Sequence, residues 1–220
     1  MDDTQLPYFD EKVRVTFPDP DPDEEFGIVM VGGNLSPGML ISAYEQGVFP
    51  WFEPHQPILW WNPPFRCLLF PGELHMSKSM RRFMKRTNYR VTKNNSFSKV
   101  IRNCKEVPRE GQQGTWITED MVDAYTELHR LGFAHSYEVW DDDLLVGGLY
   151  GVEMRGYFCG ESMFSYRSNA SKLALVHLYR EMIIEKGYAF IDFQVINPHS
   201  ESLGAREIPR DEFLRMITKY

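Results

Sequence analysis

Proline sets the first limit on what this chain can become. Residues 47–65 read GVFPWFEPHQPILWWNPPF, with prolines at 50, 54, 57, 63 and 64. Each ring fixes φ and removes a backbone donor, so neither a long helix nor a central strand can run through the stretch. It reads as an aromatic loop system joining a small N-terminal domain, residues 1–62, to a larger domain, residues 63–220. The start of the chain is proline-rich too, and PDPDPDEE at 18–25 reads as an extended acidic loop.

Between these stretches, GIVMVGG is a short apolar strand ending in a Gly-Gly turn. Pro37 then opens a helix, with Ser36 as N-cap and Gly47 as stop. Past residue 63, RCLLF is a strand, and Ser77 caps a helix through KSMRRFMKR. Met80, Phe83 and Met84 recur there at i, i+3, i+4 and form its buried stripe. YRVT is a strand. SFSKVIRNCKEV and EDMVDAYTELHRLG are helices, the second with Val122, Tyr125 and Leu128 inward and Gly132 as stop. AHSYEVW, LLVGGLYGVEM and YFCGESMF, parted by DDD and RG turns, form an antiparallel meander. NASKLALVHLYREMIIEKG is the longest helix. AFIDFQVI, a continuous apolar run, is typical of a buried strand, and a last helix starts at Asp211. The expected class is α+β, a mixed sheet flanked by helices, in an order compatible with an acetyltransferase-like fold.

Hydrophobic residues make up 43% of the 220 and aromatics 14%, enough for a packed core. No apolar run reaches the roughly 18 residues of a membrane span. The start, MDDTQLPYFDE, is acidic where a secretory signal is basic and then apolar, so a cytoplasmic protein with no membrane partner is expected. Cys67, Cys104 and Cys159 are odd in number and none lies at C-x-x-C spacing, so neither a disulfide framework nor a zinc site is expected. The net charge of −7 argues against a nucleic-acid partner. The charge is uneven, however: residues 1–25 carry nine acids, whereas residues 76–105 carry ten bases and no acid. A polyanion meets the local field, so the basic stretch is a candidate footprint.

Seven strings together resemble one family. They are GVFPWF at 47–52, PILWW at 57–61, GTWIT at 114–118, VGGLYGV at 146–152, FCGESMFS at 158–165, IDFQV at 191–195 and SLGAREIPR at 202–210. In this order and spacing they are similar to the bacterial leucyl/phenylalanyl-tRNA–protein transferases. The resemblance runs from about residue 27 to the last helix. The acidic start lies outside it, and the end reads as shorter than in some relatives. It implies a small N-terminal domain followed by an acetyltransferase-like (GNAT-like) domain. It also implies transfer of Leu or Phe, and Met less well, from aminoacyl-tRNA to proteins beginning with Arg or Lys. That reaction belongs to the N-degron route of protein degradation.

Such a transfer needs a proton acceptor for the attacking amine and donors for the ester carbonyl, but no metal or redox cofactor. Asp192 and Gln194 are two polar groups in an apolar strand, and residues two apart share a face. A carboxylate buried there must be paired or used. The resemblance implies a relay in which Gln194 contacts the amine and Asp192 takes its proton; the plainer reading is a structural Asp–Gln pair. Glu161 is assigned to the acceptor's cation or α-amine, against a plain cap or a salt bridge to Arg167. Asn197 is assigned to a substrate carbonyl, against an ordinary turn.

Trp51 and Trp116 are assigned to the terminal adenosine by stacking, against ordinary packing, under which Trp60 and Trp61 are left. Leu149, Phe158, Leu175, Leu178 and Ile191 match the family's aminoacyl pocket, against simple core. Lys78, Arg81, Arg82, Lys85, Arg86 and Arg90 are assigned to tRNA phosphates, against a solvated helix face. With no apolar helix left over, a monomer is expected.

Two other classes compete. An acyl-CoA acetyltransferase needs a Gly-rich loop opening the long helix, and SYRSNASK has no glycine. A non-catalytic RNA-binding module suits the basic stretch but leaves Asp192, Gln194 and Glu161 unexplained. A cell-wall peptide transferase is a third rival, and the motif set argues against it.

Overall fold

The structure, a computed structural model, describes residues 6–21, 25–108 and 115–220. Asp2, Asp3, Asp23 and Glu24 of the acidic start and Gly114 of GTWIT lie outside the described residues. The large sheet has seven strands: β4 (Phe65–Leu69), β5 (Arg90–Lys93), β6 (Ala134–Asp141), β7 (Leu144–Met154), β8 (Tyr157–Ser165), β9 (Phe190–Asp192) and β10 (Arg206–Pro209). Their order is β10-β4-β9-β8-β7-β6-β5. Every neighbouring pair is antiparallel except β8–β9, which are parallel. A parallel pair needs a crossover, and helix α5 (Ala170–Tyr179) provides it. The sheet is therefore mixed and flanked by helices, as the patterning predicts.

Each strand sends alternate side chains to opposite faces, and each face has its own core. On one face Tyr150 and Val152 of β7 and Phe190 of β9 pack with helices α3 (Phe97–Glu106) and α4 (Glu119–Arg130). On the other, Leu149, Phe158 and Ile191 pack with Leu175 and Leu178 of α5 and with Met80 of α2 (Lys78–Met84). Gly147 makes this possible. A Cβ there would lie 2.4 Å from that of Ala170, so glycine lets the start of α5 sit on β7.

The proline-rich run behaves differently from expectation. It contributes β2 (Phe49–Pro50) and β3 (Leu59–Trp61), which join β1 (Ile28–Val31) in a small antiparallel sheet ordered β1-β3-β2. Proline is tolerated because β2 is a two-residue edge strand. Helix α1 (Pro37–Glu45) is buried almost all round. Its Met39, Leu40 and Tyr44, with Phe17 and Trp60, share one cluster with Val100, Tyr125 and Phe213. The segments before and after residue 62 thus share a core.

Four local expectations change. Ser36 stands at the N-cap of α1, but its side chain makes no capping bond. AFIDFQVI is a strand only over Phe190–Asp192. Gln194 takes a left-handed φ of 59°, which ends the two-residue alternation and removes the shared face expected for Asp192 and Gln194. The long helix turns π over Arg180–Glu185. Finally, α6 (Pro198–Ser202) and β10 fall in a segment read without regular structure, and α7 (Arg210–Ile217) closes the chain. The capping geometry of Ser77 and the buried Met80, Val122, Tyr125 and Leu128 follow the sequence reading.

Candidate active site

The parallel strands β8 and β9 are paired only from Tyr157 to Cys159. Beyond Asp192 the second strand stops while β8 runs on to Ser165, so the sheet parts. A cleft of about 770 Å³ opens at this gap. Leu149, Met163, Leu175, Leu178, Phe193 and Leu203 give it apolar walls. Tyr150, Glu161, Gln194 and Trp116 also line it. Because Leu149 and Tyr150 are consecutive and belong to opposite faces, the cleft runs through the plane of the sheet. A smaller hollow of about 130 Å³ adjoins it, walled by Phe49, Pro50, Trp51 and Val195, and shares Trp116, Glu161, Phe193 and Gln194 with it. Glu161 and Gln194 therefore stand at the waist between an aromatic rim and an apolar cleft.

Local backbone places both residues. In the β7–β8 ladder Gly151 faces Gly160 and Tyr150 faces Ser162, so Glu161 is the extra residue of a β-bulge. A bulge re-aims the side chain it carries. Gly151 permits the close approach, since a Cβ there would lie 2.1 Å from the Cys159 carbonyl oxygen. Gln194 is held by its backbone N–H, which donates to Asp192 Oδ1 at 2.8 Å. Its Nε2 donates to Glu161 Oε1 at 3.2 Å. Tyr125 donates to Glu161 Oε2 at 3.3 Å, and the hydroxyls of Tyr44 and Tyr125 are themselves bonded.

The two carboxylates differ in their partners. Burial pushes the Glu161 carboxyl up to about 7; the Tyr44 hydroxyl pulls against it, the Asp192 charge adds to it, and Tyr125 and Arg66 oppose it. Burial raises both phenols well above their ordinary value, so both remain donors at neutral pH. Asp192 is fully buried and its oxygens are taken. Arg66 Nε lies 2.9 and 3.0 Å from them, and Arg66 Nη2 lies 2.7 Å from Oδ2. Burial pulls the Arg66 guanidinium down, but Asp192 outweighs it and the net direction is up. Glu161, with a value near neutrality and a place on the cleft wall, is the group suited to exchanging a proton.

The other expected residues divide. Trp51, 44% exposed, and Trp116 meet across the small hollow. Trp60 is fully buried and donates to the Gly32 carbonyl, a packing role, and Trp61 Nε1 donates to the Trp51 carbonyl. Leu149, Leu175 and Leu178 line the cleft. Phe158 and Ile191 do not; they pair in register behind it, in the core. Asn197 lines the cleft, but its Oδ1 caps α6 by accepting from His199 and Ser200 N–H. Lys78, Arg81, Arg82, Lys85, Arg86 and Arg90 are all exposed, and none is in an ion pair among the described residues. Arg90 lies over the Trp140 ring at 5.6 Å. Lys93, Arg102 and Lys105 of the same stretch are paired with Glu181 or Glu119.

The sequence reading missed Arg66, Tyr44, Tyr125, Met163 and Leu203 as parts of the site. For Arg66 the signal was present: a cation inside the apolar strand RCLLF is the natural partner of a carboxylate inside another. Tyr125 was expected only to face inward.

Residues 68–218 match the family described as leucyl/phenylalanyl-tRNA protein transferase, and residues 33–64 match its N-terminal domain. A protein named leucyl/phenylalanyl-tRNA–protein transferase from Pectobacterium carotovorum is 52% identical over 206 residues, covering 93% of this chain and 86% of that one. Its namesake from Flavobacterium psychrophilum is 49% identical, covering 94% and 97%. The one from Anaeromyxobacter dehalogenans is 48% identical, covering 97% and 91%. Among solved structures, a GCN5-related N-acetyltransferase from Kribbella flavida overlays with a TM-score of 0.39 at 12% identity, over 80% of this chain and 61% of that one. L-PGS from Bacillus licheniformis overlays with a TM-score of 0.38 at 13% identity, over 71% and 50%.

Proposed function

This chain belongs to the leucyl/phenylalanyl-tRNA–protein transferase family, and on that premise we propose that it moves Leu or Phe, and Met less well, from aminoacyl-tRNA to the α-amine of proteins beginning with Arg or Lys. We place the reaction in the cytoplasm, on a monomer, as a step of N-degron degradation. One observation carries the chemistry: a carboxyl with a value of about 7 stands between an aromatic hollow and an apolar cleft.

In this reading Trp51 and Trp116 stack on the terminal adenosine, and the aminoacyl side chain enters the cleft beside Leu149, Leu175 and Leu178. Phe158 and Ile191 support that wall from behind. Burial at ~25 cal/mol per Å² favours Leu and Phe over polar side chains. The exposed cations on and beyond α2 meet phosphates of the acceptor stem. Glu161 takes a proton from the acceptor's α-ammonium, and the amine nitrogen attacks the ester carbonyl. Gln194 Oε1 accepts from an N–H of the approaching amine, and Asn197 Nδ2 donates to the carbonyl oxygen. The adduct nitrogen gives its surplus proton to solvent, the tetrahedral adduct collapses, the carbon–oxygen bond to the ribose breaks, and Glu161 returns the proton it holds to the ribose oxygen. The products are an amide bond and uncharged tRNA. Asp192 holds Gln194 and takes no proton itself.

The test is transfer of radiolabelled leucine from Leu-tRNA to a peptide beginning with Arg, for wild type, Glu161→Gln and Asp192→Asn. A peptide beginning with Glu and a reaction fed acetyl-CoA run beside it. The expected result is label on the Arg peptide only, lost in Glu161→Gln and partly kept in Asp192→Asn. No transfer from charged tRNA by folded wild type sinks the reading.

A further inference from the structure

Arg66 is a fully buried cation that no step of this chemistry touches, yet it holds three parts of the site at once. Its Nε and Nη2 grip the Asp192 carboxylate, and its Nη1 donates to the Gly47 carbonyl at 2.8 Å. The guanidinium lies between the rings of Phe49 and Phe213, 4.8 and 4.5 Å from their centroids. Gly47 and Phe49 lead directly into Pro50 and Trp51, the wall of the small hollow. Asp192 in turn accepts from the Gln194 N–H and so holds that residue in its left-handed turn. Five donors in a rigid plane suit one side chain to fix several partners.

We infer that Arg66 is a positioning residue for the transfer, whose guanidinium sets the aromatic hollow and the Gln194–Glu161 pair at a fixed separation. The inference rests on the transfer reaction proposed above. The donor's adenosine and its aminoacyl group occupy adjoining hollows, so the ester carbonyl reaches Glu161 and Gln194 only if the walls keep register. A misplacement of ~1 Å costs about a hundredfold in rate, whereas each half-site on its own keeps its contacts. Arg66 therefore governs turnover more than binding.

Two variants test this, each read as kcat per folded molecule, with the folded fraction taken from circular dichroism. Arg66→Met with Asp192→Leu removes both charges and leaves no buried ion unpaired. Arg66→Lys keeps the charge and loses the planar fork. Both should lower kcat by about a hundredfold, with KM for Leu-tRNA and for the Arg peptide within about threefold of wild type. A residue that only holds the fold together would lower the folded fraction and leave kcat per folded molecule alone. Wild-type kcat in the folded fraction of either variant overturns the inference. Wild type that moves no leucine fails the proposed function instead, so the two failures are distinct.

Discussion

Glu161→Gln keeps the size of the side chain and removes its titration, so it isolates the effect of burying one carboxyl. In the folded protein the group ionises at about 7, against an ordinary 4.5. The folded state therefore holds more protons than the unfolded one between those values, and stability falls as pH rises through the window. The gap of about 2.5, at ~1.36 kcal/mol for each, gives a ceiling of about 3 kcal/mol. About 2 kcal/mol of that falls between pH 5.5 and pH 8 by the same relation. For a chain of this size it corresponds to about 4–8 °C in Tm. Urea unfolding of wild type and variant at pH 5.5, 7 and 8 measures it. The stability of the variant relative to wild type should climb by about 2 kcal/mol across that range. Leucine transfer by wild type should rise with a midpoint near pH 7, while the variant loses about 10²–10⁴-fold and shows no such limb. Parallel stability curves for the two proteins would refute the claim that Glu161 is held near neutrality by burial.

Three further outcomes are expected. Trp51→Ala and Trp116→Ala should each raise KM for Leu-tRNA by about 5- to 150-fold with little change in peptide KM, since one base–aromatic stack is worth ~1–3 kcal/mol. Arg82→Ala combined with Lys85→Ala should reduce the slope of log affinity against log salt by about 2, equally for Leu-tRNA and Phe-tRNA; an unchanged slope would remove α2 from the tRNA contact. Gly151→Ala should destabilise the fold by about 1–3 kcal/mol in urea titration, because the new methyl meets the Cys159 carbonyl oxygen at 2.1 Å.

What the sequence makes legible follows the range of the forces involved. Helix stripes and the meander are local patterns, and Met80, Val122, Tyr125 and Leu128 lie where periodicity puts them. Strand β10 is not legible because its partner β4 is far away in sequence, from Arg206↔Leu68 to Pro209↔Phe65. The end of β9 is hidden too. Nothing in FIDFQVI signals that Gln194 will leave the extended region; the cause is the Asp192 carboxylate, turned back on the backbone by a cation 126 residues earlier. Of the site residues that the family resemblance implies, Glu161, Gln194, Trp51 and Trp116 come together. The division of labour proposed between Asp192 and Glu161 is not legible in the sequence. It depends on which carboxylate has a buried partner, a fact of packing rather than of spacing.

The bulge at Glu161 also separates two things that a regular ladder would bind together. Residues on either side of it stay paired with β7, Gly160 with Gly151 and Ser162 with Tyr150. The Glu161 carboxylate is thus a single inserted letter in an otherwise ordinary strand. Removing it would close the ladder without shifting any flanking side chain to the wrong face. A one-residue deletion would remove that carboxylate and leave a sheet more regular than the one it came from.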